Sequence, residues 1–166
     1  MNPKIRAVLP EDAAELAELL NAIIARGGTT AFETAFTPAR LAEAYLIGPS
    51  VHCCFVAERN GQLLGFQTLG TQTFLPAGIG DIATFTRLGG TQRGVGSALF
   101  ATTCTRAREL GLRAINATIR GDNVGGLAFY SRMGFLDHEV VPAVPLKDGT
   151  PVDRIRKRFV LVDQST

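Results

Sequence analysis

Asn60 and Gly61 constrain this chain more than any other pair of residues. They stand between two apolar runs of strand length in HCCFVAERNGQLLGFQTLG, residues 52–70, and Asn-Gly in that setting is a strong short-range signal for a tight hairpin. Two antiparallel strands follow from it. Before them, the short apolar segment IRAVL leads into PEDAAELAELLNAIIARGG, where Leu16, Leu19, Leu20, Ile23 and Ile24 recur at helical spacing. Pro10 suits the first turn, Glu11 and Asp12 the positive helix end, and Gly27-Gly28 the stop. TPARLAEAYL opens with Thr37 as N-cap and Pro38 at the first helical position, which predicts a second, shorter helix.

Beyond the hairpin, DIATFTRL predicts a strand with one wet face. A helix follows Gly96, with Leu99, Thr103, Ala107 and Leu110 on one side and Gly111 ending it. RAINATI is a strand, NVGGLAFYSRM a helix stopped by Gly134, and two last strands around FLDHEVV and RIRKRFVLV flank the turn signal Asp148-Gly149. The order βαα, ββ, β, α, β, α, ββ predicts an α/β fold: a mixed, mostly antiparallel sheet of six to seven strands flanked by about four helices. With 166 residues, 46% of them hydrophobic, residues 1–166 read as one globular domain.

A formal charge of +2, from 17 basic and 15 acidic residues, lacks the one-sided excess of a nucleic-acid binder. Only RIRKR, Arg154 to Arg158, is locally basic, and it reads as the solvated face of a late strand. Three cysteines and two histidines supply neither a disulfide framework nor a metal-ligand pattern, so no metal is expected. No export signal or membrane span is visible, which points to a cytoplasmic protein.

The chemistry gathers at TQRGVGSALF, Thr91 to Phe100. Two glycines one residue apart precede a helix whose first N–H groups are free, with an arginine beside them and no acid near. Such a turn can cradle an anion, or the glycines can serve the geometry of the turn alone. A dinucleotide fingerprint is excluded because its third glycine would fall on Leu99, and a P-loop because Val95 stands where its lysine belongs.

TQRGVGSALF resembles the pyrophosphate loop of the GCN5-related N-acetyltransferases, and DNVGGLAFYSRMGF resembles that family's second signature, in order and separated by one helix and one strand. The likeness covers most of the chain. It departs at Thr91, where Gln or Arg is usual, and at Gly126, where Ala is usual. Within the family, TTAFETAFTPARL and Asp81 are most similar to the phosphinothricin acetyltransferase branch, whereas DGTPVDRIRKRF lacks the aromatic and histidine of that branch.

The resemblance implies transfer of an acetyl group from acetyl-CoA to a primary amine of a small molecule, an amino acid or amino-acid analogue, by direct attack in a ternary complex. Asp81 is then the base, provided its environment raises it from an ordinary pKa of about 3.9, or else a surface residue opening a strand. Tyr130, two helical turns beyond Asn123, is the acid for the departing thiolate, or else a core tyrosine. Backbone groups of Thr84, Phe85 and Thr86 would pair with the pantetheine arm and polarise the acyl carbonyl, and the amides of Gln92, Arg93, Gly94, Val95, Gly96 and Ser97 would grip the diphosphate. Asn123 would bond the arm; Arg93 and Arg132 would meet phosphate charges, or else lie solvated. An acceptor carboxylate needs a cation, and RIRKR and Arg87 offer choices. Cys104, with no paired histidine, reads as a packed thiol. The branch is commonly dimeric. The rival functions are a non-catalytic acyl-CoA sensor and a protein N-acetyltransferase.

Overall fold

The computed structural model describes residues 2–89 and 93–161. Seven strands form one sheet: β1 (Lys4–Ala7), β2 (Val51–Arg59), β3 (Gln62–Gly70), β4 (Ile79–Thr86), β5 (Ala114–Arg120), β6 (Leu136–Pro145) and β7 (Pro151–Val160). Four helices join them: α1 (Ala13–Arg26), α2 (Pro38–Leu41, continued by a π-helical turn Ala42–Leu46), α3 (Val95–Glu109) and α4 (Val124–Met133). The spatial order is β1-β2-β3-β4-β5-β7-β6, and only β4 and β5 run parallel. The expected architecture is present. No helix of the described residues is long and apolar enough to cross a membrane.

The hairpin forms as the Asn-Gly pair dictates. Arg59 faces Gln62, and Asn60 and Gly61 take φ of 52° and 76°, the two positive values of a type I′ turn. α1 buries Leu16, Leu19, Leu20 and Ile23, with Ile24 partly buried beside them, and Pro10 to Asp12 form a 3-10 turn ahead of it. Asp12 fixes that turn: its carboxylate accepts from Leu9 N–H at 2.7 Å and from both ends of the Arg6 fork. Thr37 caps α2 by accepting from Arg40 N–H. Leu110 departs from expectation. It ends α3 as the C-cap and is exposed, while Val95, Phe100 and Cys104 join Leu99, Thr103 and Ala107 on the buried side.

Alternation along the strands divides the molecule into two layers. α1 and α2 pack on one face of β2, β3 and β4, over Val56, Phe66 and Phe85. α3 and α4 pack on the other, over Leu69, Ile82, Ile115, Ala117 and Ile119. Two aromatic groups brace these layers: Phe32, Phe36, Tyr45 and Phe85 on the α1–α2 side, Phe100, Tyr130, Phe135 and Phe159 on the other. Each close ring pair contributes roughly 0.5–1.5 kcal/mol beyond its buried area. Among the described residues, no helix covers the β5–β7–β6 half of the α1–α2 face.

Candidate active site

The parallel pairing of β4 with β5 stops at Ile82 and Ala117. Past that point β4 keeps β3 on one side, through Thr86, and has no strand on the other among the described residues. The sheet therefore opens at its centre. Arg87 N–H donates to Leu64 O at 2.7 Å, so the antiparallel ladder turns the N–H groups of Thr84 and Thr86 away from β3, toward the gap. Phe85 differs from the expectation for this segment: its N–H faces β3 and its ring packs under α1, because alternate residues of a strand point opposite ways.

Asp81 lies where the gap begins, on the α1–α2 face. Asn116 of β5, its register partner, donates from Nδ2 to Asp81 Oδ1 at 2.9 Å. Burial is the largest influence on the carboxyl and raises it from 3.8 to about 6, against the Asn116 hydrogen bond and the charges of Arg156 and Arg158, which act to lower it. That is the elevated basicity the sequence reading required of Asp81.

Tyr130 lies on the opposite face of the sheet. It projects inward from α4, buried against Phe129 and Phe135, with its hydroxyl 2.9 Å from Thr84 Oγ1. Burial pushes its phenol well above the ordinary 10.0, and Asp81 adds to the rise, so Tyr130 holds its proton at neutral pH. Thr84 Oγ1 also accepts from Gln67 Nε2 at 2.9 Å, while Gln67 Oε1 is buried without a partner. A raised carboxyl and a protonated phenol thus lie on opposite faces of the sheet beside the gap.

At the glycine turn, Gly94 has φ of 83° as the N-cap of α3, a left-handed conformation that favours glycine, and no side chain caps the helix. Ala98 N–H is the first to reach back, to Gly94 O, which leaves the amides of Val95, Gly96 and Ser97 without helical acceptors. Gly96 has its own reason. A Cβ there would lie 2.7 Å from Phe129 Cε1, so its glycine lets α3 and α4 approach. Arg93 is exposed beside the turn; Gln92 lies outside the described residues, as does Thr91.

Asn123 is engaged by the protein itself. Its Oδ1 accepts from Gly126 N–H at 2.9 Å and its Nδ2 donates to Thr29 O at 3.1 Å, so it caps α4 and ties it to the loop after α1. Gly126 permits this, since a Cβ would fall 2.5 Å from Asn123 Nδ2. Asn123 turns to Thr29 and Tyr130 to Thr84. Arg132 is exposed on the last turn of α4. Arg87 pairs with Glu15 at 2.8 Å and with Leu63 O, which removes it as a free cation. Cys104 is packed, with its thiol raised by burial.

RIRKR is not a solvated face. β7 lies between β5 and β6, so Lys157 turns inward, buried against Ser131 and Asp137, while Arg154, Arg156 and Arg158 are half-buried on the Asp81 side. Arg158 Nε donates to Asn116 Oδ1 at 3.0 Å. Asn116, fully buried, was missed by the sequence reading, as was Gln67. The signal for Asn116 was present: Asn116, Thr118 and Arg120 alternate with Ile115, Ala117 and Ile119, the mark of a strand with one polar face.

The sequence model of the acetyltransferase (GNAT) family matches residues 18–135, well over half of the chain. No curated protein sequence matches. Among solved structures the chain resembles a putative phosphinothricin N-acetyltransferase, at 23% identity and a TM-score of 0.83 over 97% of this chain and 99% of that one. It is also similar to a phosphinothricin acetyltransferase from Sinorhizobium meliloti in complex with acetyl-CoA, at 20% identity and 0.83 over 99% and 91%. A third is yncA, a putative acetyltransferase from Salmonella typhimurium with its cofactor acetyl-CoA, at 19% identity and 0.81 over 100% and 98%. The central gap, the bare glycine turn and the family match agree, and the chain belongs to the acetyltransferase (GNAT) family of acyl-CoA-dependent enzymes.

Proposed function

We propose that this chain acetylates the primary amine of a small amino acid or amino-acid analogue by direct attack. The observation that carries the reading is the pairing of a carboxyl raised to about 6 on one side of the gap with a protonated phenol on the other. The residues fit acetyl-CoA: the open β4 edge at Thr84 and Thr86, the orphaned Gln67 Oε1, and the uncapped first turn of α3 are unanswered polar groups. Thr84 and Thr86 would hold the pantetheine arm, and Gly94 to Ser97, with Arg93 and Arg132 near, the diphosphate. When bound, the donor supplies an activated thioester carbonyl.

The chain's own work is proton management and alignment. An ammonium has no lone pair, so the acceptor must lose a proton before it can attack, and Asp81 takes it at its carboxylate, directly or through a water. At pH 7 a carboxyl of about 6 is mostly ionised yet far more basic than an ordinary one. Tyr130 holds a proton at its hydroxyl for the departing sulfur, and Thr84 fixes that hydroxyl in place. Backbone N–H groups on the open edge are aimed where negative charge develops.

Release of free thiol from acetyl-CoA, measured against small amino acids, methionine sulfone, phosphinothricin, polyamines and peptides, tests the reading. Thiol above background with a small amine supports it. Tight donor binding with no turnover on any acceptor overturns it. The reading also includes a cytoplasmic homodimer, which light scattering on the purified chain tests for assembly.

A further inference from the structure

From the face opposite α3 and α4 we infer that Arg156 and Arg158 form a carboxylate-binding subsite, which makes the acceptor an α-amino acid rather than a simple amine or polyamine. This rests on the acetyl-transfer reading for the identity of the site. It has its own observations.

Arg154, Arg156 and Arg158 alternate along β7 on the side that carries Asp81. Asp81, Asn116 and Arg158 are register partners on three adjacent strands, so Asp81 and Arg158 stand two strand spacings apart, about 10 Å between backbones. Both side chains reach the same amide: Asn116 Nδ2 donates to Asp81, and Asn116 Oδ1 accepts from Arg158 Nε. One buried asparagine thereby bridges the base and a guanidinium through hydrogen bonds of 2.9 and 3.0 Å, and Thr118 Oγ1 steadies it by accepting from Nδ2 at 3.0 Å. In an α-amino acid the amine and the carboxylate share one carbon, so they can straddle such a pair.

Arg156 supplies the second donor. Its Nη1 donates to Glu139 at 2.9 Å and its guanidinium stacks 4.2 Å from the Phe74 ring centroid, which fixes its plane. Its Nε is buried and has no partner. A buried unanswered N–H on a fixed guanidinium is costly unless an acceptor arrives, and a carboxylate oxygen is the acceptor an arginine fork suits best. Arg87 is paired with Glu15 and Arg120 with Asp122, and Lys147 donates to Thr34 and the Glu33 backbone; Arg156 is paired with Glu139 through Nη1 but keeps its Nε unanswered. Three half-buried arginines around the acceptor face also repel a polyamine.

The test pairs each of the twenty L-amino acids, and methionine sulfone, with the amine that lacks only its carboxylate; for methionine sulfone that is 3-(methylsulfonyl)propylamine. Thiol release should favour the carboxylate-bearing member. In Arg156→Gln and Arg158→Gln the KM for the best amino acid should rise at least tenfold, with the KM for acetyl-CoA unchanged and the preference over the matched amine collapsing. If matched amines or spermidine serve as well as any amino acid, or both variants keep the wild-type KM, the subsite is wrong while acetyl transfer stands. If no acceptor releases thiol, acetyl transfer fails instead, and thermal shift with millimolar amino acid then reports on the arginines alone. Stabilisation of the wild type, lost in the double variant, supports the subsite; equal shifts in both overturn it.

Discussion

Replacing Asp81 by Asn should make the protein more stable and nearly inactive. The carboxyl is raised from 3.8 to about 6 chiefly by burial, so its charged form is disfavoured in the folded state. A difference of about two pH units corresponds to ~3 kcal/mol. Well below pH 3.8 the group is protonated folded or unfolded and costs nothing. As pH rises through 3.8 the unfolded chain ionises first, so the wild type loses stability until pH passes about 6, and the full penalty remains at pH 7.5. Asn116 donates to the carboxyl, and the charges of Arg156 and Arg158 act on it from the same side of the sheet. Asn keeps an oxygen for Asn116 Nδ2. Thermal unfolding of both proteins at pH 3, 5, 6 and 7.5 should show nearly equal midpoints at the acid end and a gap opening to roughly 6–12 °C, for a chain of this size, at pH 7.5. In parallel, the acid limb of wild-type kcat/KM near pH 6 should vanish in the variant, with a loss of about 10²–10⁴ in rate. A difference in midpoint that does not change with pH, or a variant less stable at pH 7.5, would refute the desolvation argument.

Tyr130→Phe removes one hydroxyl and its Thr84 partner, so kcat should fall about 10²–10⁴-fold while stability changes by about 1 kcal/mol; equal kcat in steady-state kinetics would return Tyr130 to the core. Gly96→Ala forces Phe129 to move and should cost about 1–3 kcal/mol in chemical denaturation, a cost that shrinks in a Phe129→Leu background; an unchanged cost would mean that the ring is not the obstacle. Gly125→Ala and Gly126→Ala form a matched pair on α4. The first meets nothing nearer than 3.9 Å and should stabilise by ~1 kcal/mol, whereas the second displaces the Asn123 cap and should show no gain; equal gains in melting temperature would dismiss that cap.

Local signals were legible where local chemistry decides the outcome. Asn60-Gly61 fixed its turn through backbone sterics, Thr37 and Pro38 began a helix, and Gly111 and Gly134 ended theirs, because each acts within a few residues. RIRKR was misread because its surroundings come from afar: β6 follows α4, yet β7 inserts between β5 and β6, and nothing in the pentapeptide encodes that neighbour. Asp81 and Tyr130 were named from likeness, but the features that make them apt, a desolvated strand position and a Thr84 partner 46 residues away, exist only after folding. Asn123 shows the reverse. Its N-cap position, three residues ahead of Gly126, was readable as local chemistry from the start.

The break between β4 and β5 passes through the sheet, with Asp81 on one side and Tyr130 on the other. On the proposed chemistry, the two substrates have separate doorways. Neither must wait for the other, so addition is random, and the acetylated product can depart while free coenzyme is still held. Product inhibition should therefore pair each product with its own precursor, competitive within a doorway and mixed across the sheet.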